Sequence, residues 1–252
     1  VLFKKASLLL FGVFCSVWLF SQNSAKVIDL RDYQYKNEAS GGVRLQTNGF
    51  SLFAEYGWIR DLKRTRLLEI EYSYYIDYRQ KKQKSPLPGG RDFVYGLQNR
   101  FHVIRLAYGF KRTIADKADR NGVRLSGVFF GGISLGLLKP YYLNLVQSSD
   151  STGIVVRPER YSTSNESRFL DRNSIVEAAP IRYGLSQMQP VPGAHIKAAL
   201  DFDWGKKDEF VKALEAGFML DVYYKRLPIM VNNSNRFYQA SFYLSFQFGK
   251  RW

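Results

Sequence analysis

From Leu68 to Tyr78 the chain alternates without a fault: Leu68, Ile70, Tyr72, Tyr74, Ile76 and Tyr78 on one face, Glu69, Glu71, Ser73, Tyr75 and Asp77 on the other. Side chains of a strand point to opposite faces with period two, so the segment is one apolar wall and one polar wall. It is longer than the about five or six residues of a soluble strand and matches the about 9–11 of a tilted membrane-crossing strand. The closing segment repeats the pattern, with Tyr238, Ala240, Phe242, Leu244, Phe246 and Phe248 set against Gln239, Ser241, Tyr243, Ser245 and Gln247. Six more segments alternate: Gly42–Gln46, Phe50–Trp58, Arg100–Lys111, Val123–Leu145, Ala194–Trp204 and Leu214–Tyr224. Asn48-Gly49 between the first two of these is a tight-hairpin signal. Within Asp208–Leu214, Phe210, Val211 and Leu214 also fit helical spacing, a competing reading of that stretch.

A soluble barrel buries its apolar face, whereas a membrane barrel turns it to lipid. Strand length favours lipid. So do aromatic residues near strand ends, at Trp58, Tyr78, Trp204, Tyr224 and Phe248. Short connections at 60–66, 112–122 and 205–209 alternate with longer ones at 79–92, 146–190 and 227–235, the rhythm of short periplasmic turns and long outer loops. The expectation is an all-β fold: a closed antiparallel transmembrane β-barrel of eight strands, or ten if 146–190 hides a hairpin, with its C-terminus on the periplasmic side.

The N-terminus differs in kind. Lys4 and Lys5 precede the uncharged run Leu8–Phe20, and Ser21-Gln22-Asn23 turns polar, so residues 1–22 read as a signal peptide and 23–252 as the exported barrel. A single membrane anchor is the competing reading. Val1 in place of Met suggests an alternative start codon or a trimmed sequence. Residues 23–40 read as a polar lead-in without period. Cys15, the single cysteine, lies in the presumed signal, which leaves the mature chain without disulfides, thiolate metal sites or a cysteine nucleophile. The formal charge of +15 asks for anionic partners, and export makes these outer-membrane lipids and lipopolysaccharide phosphates rather than nucleic acid.

The polar faces place Glu55, Glu69, Glu71, Asp201, Asp203, Glu215 and Asp221 in one lumen with Arg105, Arg124 and Lys197. Unpaired buried charge is costly, so these residues are expected to pair rather than to conduct ions. The basic loop cluster Arg79, Lys81, Lys82 and Lys84 is the candidate lipopolysaccharide contact. Neither His102 nor His195 has a second ligand at metal spacing. Ser186 lies nine residues before His195, but no spacing rule ties the two. Gly131-Gly132 lacks a following helix and is not a phosphate loop. No catalytic, cofactor-binding or metal residue is therefore assigned.

Four pieces carry a family resemblance: Phe20-Ser21-Gln22 at the end of the signal, Gly42–Leu45 with Thr47–Phe50, the stretch Gly131–Tyr142, and the closing Phe246–Trp252. In these the chain resembles the outer-membrane β-barrel proteins of Bacteroidota, a group largely without assigned function. The closing piece looks like the aromatic-ended strand that barrel assembly machinery recognises, although Trp252 stands where Phe is usual. The resemblance implies fold and membrane and transfers no catalytic residue. The function expected is that of an envelope structural or interaction protein, with loops 79–92 and 146–190 contacting lipid, lipopolysaccharide or another envelope protein. A lipid A deacylase-like enzyme using a loop-side histidine is the alternative, and a small-solute pore the third.

Overall fold

The structure, a computed structural model, describes residues 35–61, 63–117, 122–150, 153–205, 207–231 and 235–252. The proposed signal, and its Cys15, lie outside these residues. In chain order the strands are β1 (Asn37–Gln46), β2 (Gly49–Asp61), β3 (Arg64–Tyr75), β4 (Lys82–Gln83) and β5 (Phe93–Val94). There follow β6 (Asn99–Ala115), β7 (Arg124–Pro140), β8 (Tyr142–Asp150), β9 (Gly153–Arg160) and β10 (Ile175–Ala178). The last three are β11 (Gln189–Asp203), β12 (Phe210–Tyr223) and β13 (Tyr238–Arg251).

Eight of them, β1, β2, β3, β6, β7, β11, β12 and β13, form a closed antiparallel meander. Closure is made by β1, which pairs with β2 on one side (Val43 opposite Leu52) and with β13 on the other (Val43 opposite Phe246). The barrel is inverted relative to a soluble one. Glu69 and Glu71 are each 1% exposed, while Ile70 between them is 56% exposed. Large apolar side chains such as Leu52, Leu106, Phe129, Ile133, Phe242 and Phe248 likewise stand on the outside. Apolar cover this continuous is far beyond the few hundred Å² that soluble monomers tolerate.

Each of the eight alternating segments is a barrel strand, with changed ends. The first begins at Asn37 rather than Gly42, because Ala39 and Gly41 are small outward residues that hide the alternation of Glu38 and Ser40. The third stops at Tyr75, so Ile76–Tyr78 leave the wall and Asp77 leaves the lumen. The segment Val123–Leu145 is two strands: β7 ends at Pro140, which has no N–H for the ladder, and β8 belongs to another sheet. β12 is already extended at Phe210, so the helical spacing in Asp208–Leu214 is not used.

Residues 146–190 do hide a hairpin, yet it adds no strand to the barrel. β8, β9 and β10 make a separate three-stranded sheet in the order β10-β8-β9, with a four-residue helix α1 (Glu166–Phe169) beside it. A second small sheet pairs β4 with β5. These elements lie at the end bearing the β1–β2 turn, where Gly49 takes a φ of 147° that side chains disfavour. They share a core with the upper barrel: Leu143, Leu145, Phe169 and Ile175 are packed in one cluster with Phe101, Leu138 and Tyr223. The long loops thus form a cap with its own interior.

Candidate functional site

An eight-stranded barrel has an interior that side chains alone can fill, and here charged side chains share it with serines and an apolar cluster of Leu67, Ala107, Val128 and Phe130. Eight buried carboxylates (Glu38, Glu55, Glu69, Glu71, Asp201, Asp203, Glu215 and Asp221) face five buried cations (Arg44, Arg105, Lys111, Lys197 and Arg251), so the surplus acids need neutral donors as well. Nearest the cap, Arg105 bonds Asp221 at 2.7 Å and Glu71 at 2.5 Å. His195 Nδ1 lies 3.1 Å from the same Asp221. In the middle, Arg44 bonds Glu69 at 2.9 Å, Glu215 at 3.4 Å and also Glu71. Its guanidinium lies 4.3 Å from the Phe53 ring centre and 4.6 Å from that of Tyr243. Lys197 bonds Glu69, approaches Glu215 at 3.6 Å and stands 4.1 Å over Phe130. Nearest the short turns, Arg251 joins Glu38 (3.0 Å) to Asp203 (2.9 Å), and Lys111 joins Glu38 (3.3 Å) to Asp201 (3.8 Å). Neutral donors add to the set: Tyr243 gives its hydroxyl to Glu215 at 2.6 Å, and Gln247 gives its amide to Glu55 at 2.7 Å.

Of the lumen residues read from sequence, Glu69, Glu71, Arg105, Lys197, Asp201, Asp203, Glu215 and Asp221 are brought together on the inner wall, with Glu55. Arg124 is not among them. It sits at the mouth and bonds exposed Asp116 at 2.8 Å, because β7 begins at that residue and has no wall beyond it. Sequence reading missed Arg44, Glu38, Lys111 and Arg251. The signal was available for Lys111, which follows Arg105 on the same face at period two, and for Arg251, which continues the face of Tyr243 and Gln247. Arg44 was obscured by glycine at 41 and 42.

The packed interior leaves little room. A cavity between Gln46, Ser73, Arg105, Asp221 and Tyr223 holds about 10 Å³, near the lower limit for one water. Above it, Tyr75, Phe101 and Tyr223 form an aromatic lid, with ring centres 5.8 and 5.5 Å apart in succession.

The cap is tied down by specific bonds. Val94 N–H donates to the Tyr141 hydroxyl at 3.1 Å, Tyr95 hydroxyl to Leu170 O at 2.7 Å, and Asn99 amide to Pro228 O at 2.7 Å. Arg91 bonds Glu177 at 2.9 Å, linking the β4–β5 loop to β10. Backbone and side-chain donors of Arg91, with Asn144, hold the Glu177 carboxyl below its ordinary range against partial burial. Of the basic loop residues, Arg79 bonds Asp77 at 2.6 Å and is engaged within the cap. Burial works to raise the Asp77 carboxyl, but the Arg79 side chain and backbone N–H hold it below the ordinary range. Lys81, Lys82 and Lys84 are exposed. Beside this loop a cleft of about 560 Å³ opens between cap and rim, lined by Arg91, Arg100, Lys139, Tyr141, Tyr142 and Tyr183 among others.

No known family model matches the chain, and no curated protein matches it in sequence. Solved structures similar to it include Ail, the attachment invasion locus protein of Yersinia pestis, at 9% identity over 86% of this chain and 99% of that one, with a TM-score of 0.40. The N-terminal β-barrel domain of Pseudomonas aeruginosa OprF is similar at 9% identity over 86% and 96%, TM-score 0.37. Neisserial surface protein A is similar at 11% identity over 86% and 96%, TM-score 0.40.

Among the described residues neither histidine hydrogen-bonds a serine. His195 is buried in the lumen against Asp221, whereas Ser186 lies exposed on the 3-10 turn Leu185–Gln187, and no hydrogen bond joins them. His102 faces outward and bonds the Tyr72 hydroxyl at 2.7 Å. Among the described residues no group of three His, Cys, Asp or Glu side chains is placed to hold a metal ion. Gly132 fits its plain role: a Cβ there would meet Leu106 O at 2.1 Å, so the strands approach closely at that point.

Proposed function

We propose that the chain is a small outer-membrane barrel of a Gram-negative envelope, exported by its N-terminal segment, that acts as a structural or interaction protein through its cap. One observation carries this reading. The interior holds a network of paired charges, the cap is a second core, and the surface left over is an apolar wall plus a roof of loops. A wall of Leu, Ile, Phe and Tyr suits lipid, and β13, with Phe246 and Phe248 outward, is the strand we expect barrel assembly machinery to bind. The roof carries exposed Lys81, Lys82 and Lys84 on one loop, a surface for lipopolysaccharide phosphates or an acidic envelope partner. The Bacteroidota type of barrel is the group we assign from the sequence resemblance.

The test is refolding into lipid vesicles with and without lipopolysaccharide. A heat-dependent shift in gel mobility is expected for the inserted barrel, and its absence contradicts the membrane reading. The substitution Lys81→Gln/Lys82→Gln/Lys84→Gln is expected to reduce lipopolysaccharide retained on the purified protein several-fold. Unchanged retention contradicts the loop contact while leaving the barrel reading intact.

A further inference from the structure

At the short-turn end, four arginines gather on the outside of three adjacent strands. Arg60 is near the end of β2, Arg64 and Arg66 are at the start of β3, and Arg112 is near the end of β6. All four are exposed and line one groove of about 490 Å³ with Asp61, Thr65 and Phe110. The register places Arg64 directly opposite Arg112, and Arg66 between Trp58 on one side and Phe110 on the other. Like charges directly opposed across a ladder repel and destabilise the pair. None of the four forms an ion pair with a carboxylate among the described residues, Asp61 included.

The local backbone is shaped for this cluster. A register shift between Ile59 and Asp61 makes Arg60 the extra residue of a bulge, and a second shift lies between Thr113 and Ala115 of β6. Bulges re-aim side chains at barrel rims. Elsewhere the same rim is different in kind. Trp204, Phe210 and Trp252 stand there, and Lys250 is bonded to Glu209 at 2.9 Å. Exposed Lys207 and Lys212 stand on that rim too, but the rim's guanidinium groups without an ion pair among the described residues are concentrated on this one sector.

We propose that this groove binds the headgroup phosphate of an anionic glycerophospholipid, with Arg64 and Arg112 clamping the phosphate and the acyl chains lying along Leu68, Phe110 and Tyr108. Guanidinium forks match phosphate oxygens in bidentate geometry, and an anion between two opposed cations turns their repulsion into attraction. The groove's height on the wall suits a lipid. The next outward residues toward the barrel middle are apolar, Leu68 on β3 and Phe110 on β6, so a phosphate held by the arginines leaves its chains on hydrocarbon-like surface. The proposal rests on the membrane reading above, and it concerns the opposite end of the barrel from the lysine loop.

Native mass spectrometry of the barrel extracted from vesicles of mixed phosphatidylethanolamine and phosphatidylglycerol tests it. The intact protein is expected to retain phosphatidylglycerol in preference to phosphatidylethanolamine, and Arg64→Gln/Arg112→Gln to lose that preference by about tenfold. The variant Lys81→Gln/Lys82→Gln is expected to keep it. Equal retention of the two lipids by the intact protein, or an undiminished preference in the arginine variant, overturns the proposal. Competition by glycerol 3-phosphate as strong as that by the lipid also overturns it, since the acyl chains would then contribute nothing. The gel-mobility shift shows whether each variant is folded, and Arg64→Gln alone serves if the double variant is not. Failure to insert into either lipid would contradict the barrel reading; insertion without lipid preference contradicts this site alone.

Discussion

Arg44 on β1 donates to Glu69 on β3 at 2.9 Å, across a strand that separates them in the wall. The same guanidinium reaches Glu215 on β12 at 3.4 Å, so one side chain ties together strands that share no ladder. Like Lys197 beside it, it meets three carboxylates, and it has no exposed surface.

Removing it takes one partner from each of three buried carboxylates, leaving Glu69 to Lys197, Glu71 to Arg105 and Glu215 to Tyr243. Arg44→Ala is expected to destabilise the barrel by about 3–5 kcal/mol, the usual cost of breaking a buried pair from one side. The check is the midpoint of urea-induced unfolding in vesicles. Arg44→Met with Glu69→Gln should recover part of the loss, because the second change removes a stranded charge.

The filled lumen carries its own expectation. Planar-bilayer recordings of the reconstituted protein should show no discrete conductance steps, since a cavity of about 10 Å³ passes no hydrated ion. Steps of regular size would mean that the ionic core opens.

His195 is buried in the lumen beside Asp221. His195→Ala should leave the lipid A mass spectrum of expressing cells unchanged while lowering stability by about 1–3 kcal/mol, because Asp221 loses a bonded partner inside the core. A changed lipid A profile would restore the enzyme reading.

Asp77 and Arg79 fix the start of the basic loop. The folded carboxyl of Asp77 lies below its ordinary value, so the contact is fully present above the unfolded pKa of about 3.9 and is lost as pH falls through the folded value. Hydrogen exchange of residues 76–80 should therefore quicken only in the acid range, and Asp77→Asn should quicken it at neutral pH.

Within the cap, Phe169 is wholly buried in the core it shares with the upper barrel. Phe169→Ala should cost about 3–5 kcal/mol locally. Limited proteolysis should then cut within 142–178, while the heat-dependent gel shift of the barrel persists.

The wall was legible from sequence because period two survives wherever outward residues are large, as at Ile70 and Tyr72. It faded where they are small: Ala39 and Gly41 concealed the first half of β1 and, with it, Glu38. The cap was illegible for a different reason. Tyr142–Leu145 continues the alternation of β7, and only Pro140 marks the change of sheet. The lumen network was half legible. Facing side chains can be assigned from alternation, but which carboxylate meets which cation depends on strand stagger, so the reach of Arg44 to β3 and β12 could not be read along the chain. Arg124 shows the converse, a residue of plausible parity placed at a mouth where no opposite wall exists.

The central claim is that Ile70 faces lipid while its neighbours Glu69 and Glu71 face a closed interior. A spin label at Ile70→Cys, in a Cys15→Ser background reconstituted into vesicles, reports it directly through collision with lipid-soluble oxygen or a water-soluble nickel chelate. Relaxation dominated by oxygen is the expected result. Relaxation dominated by the nickel chelate would place Ile70 in water and contradict the membrane barrel.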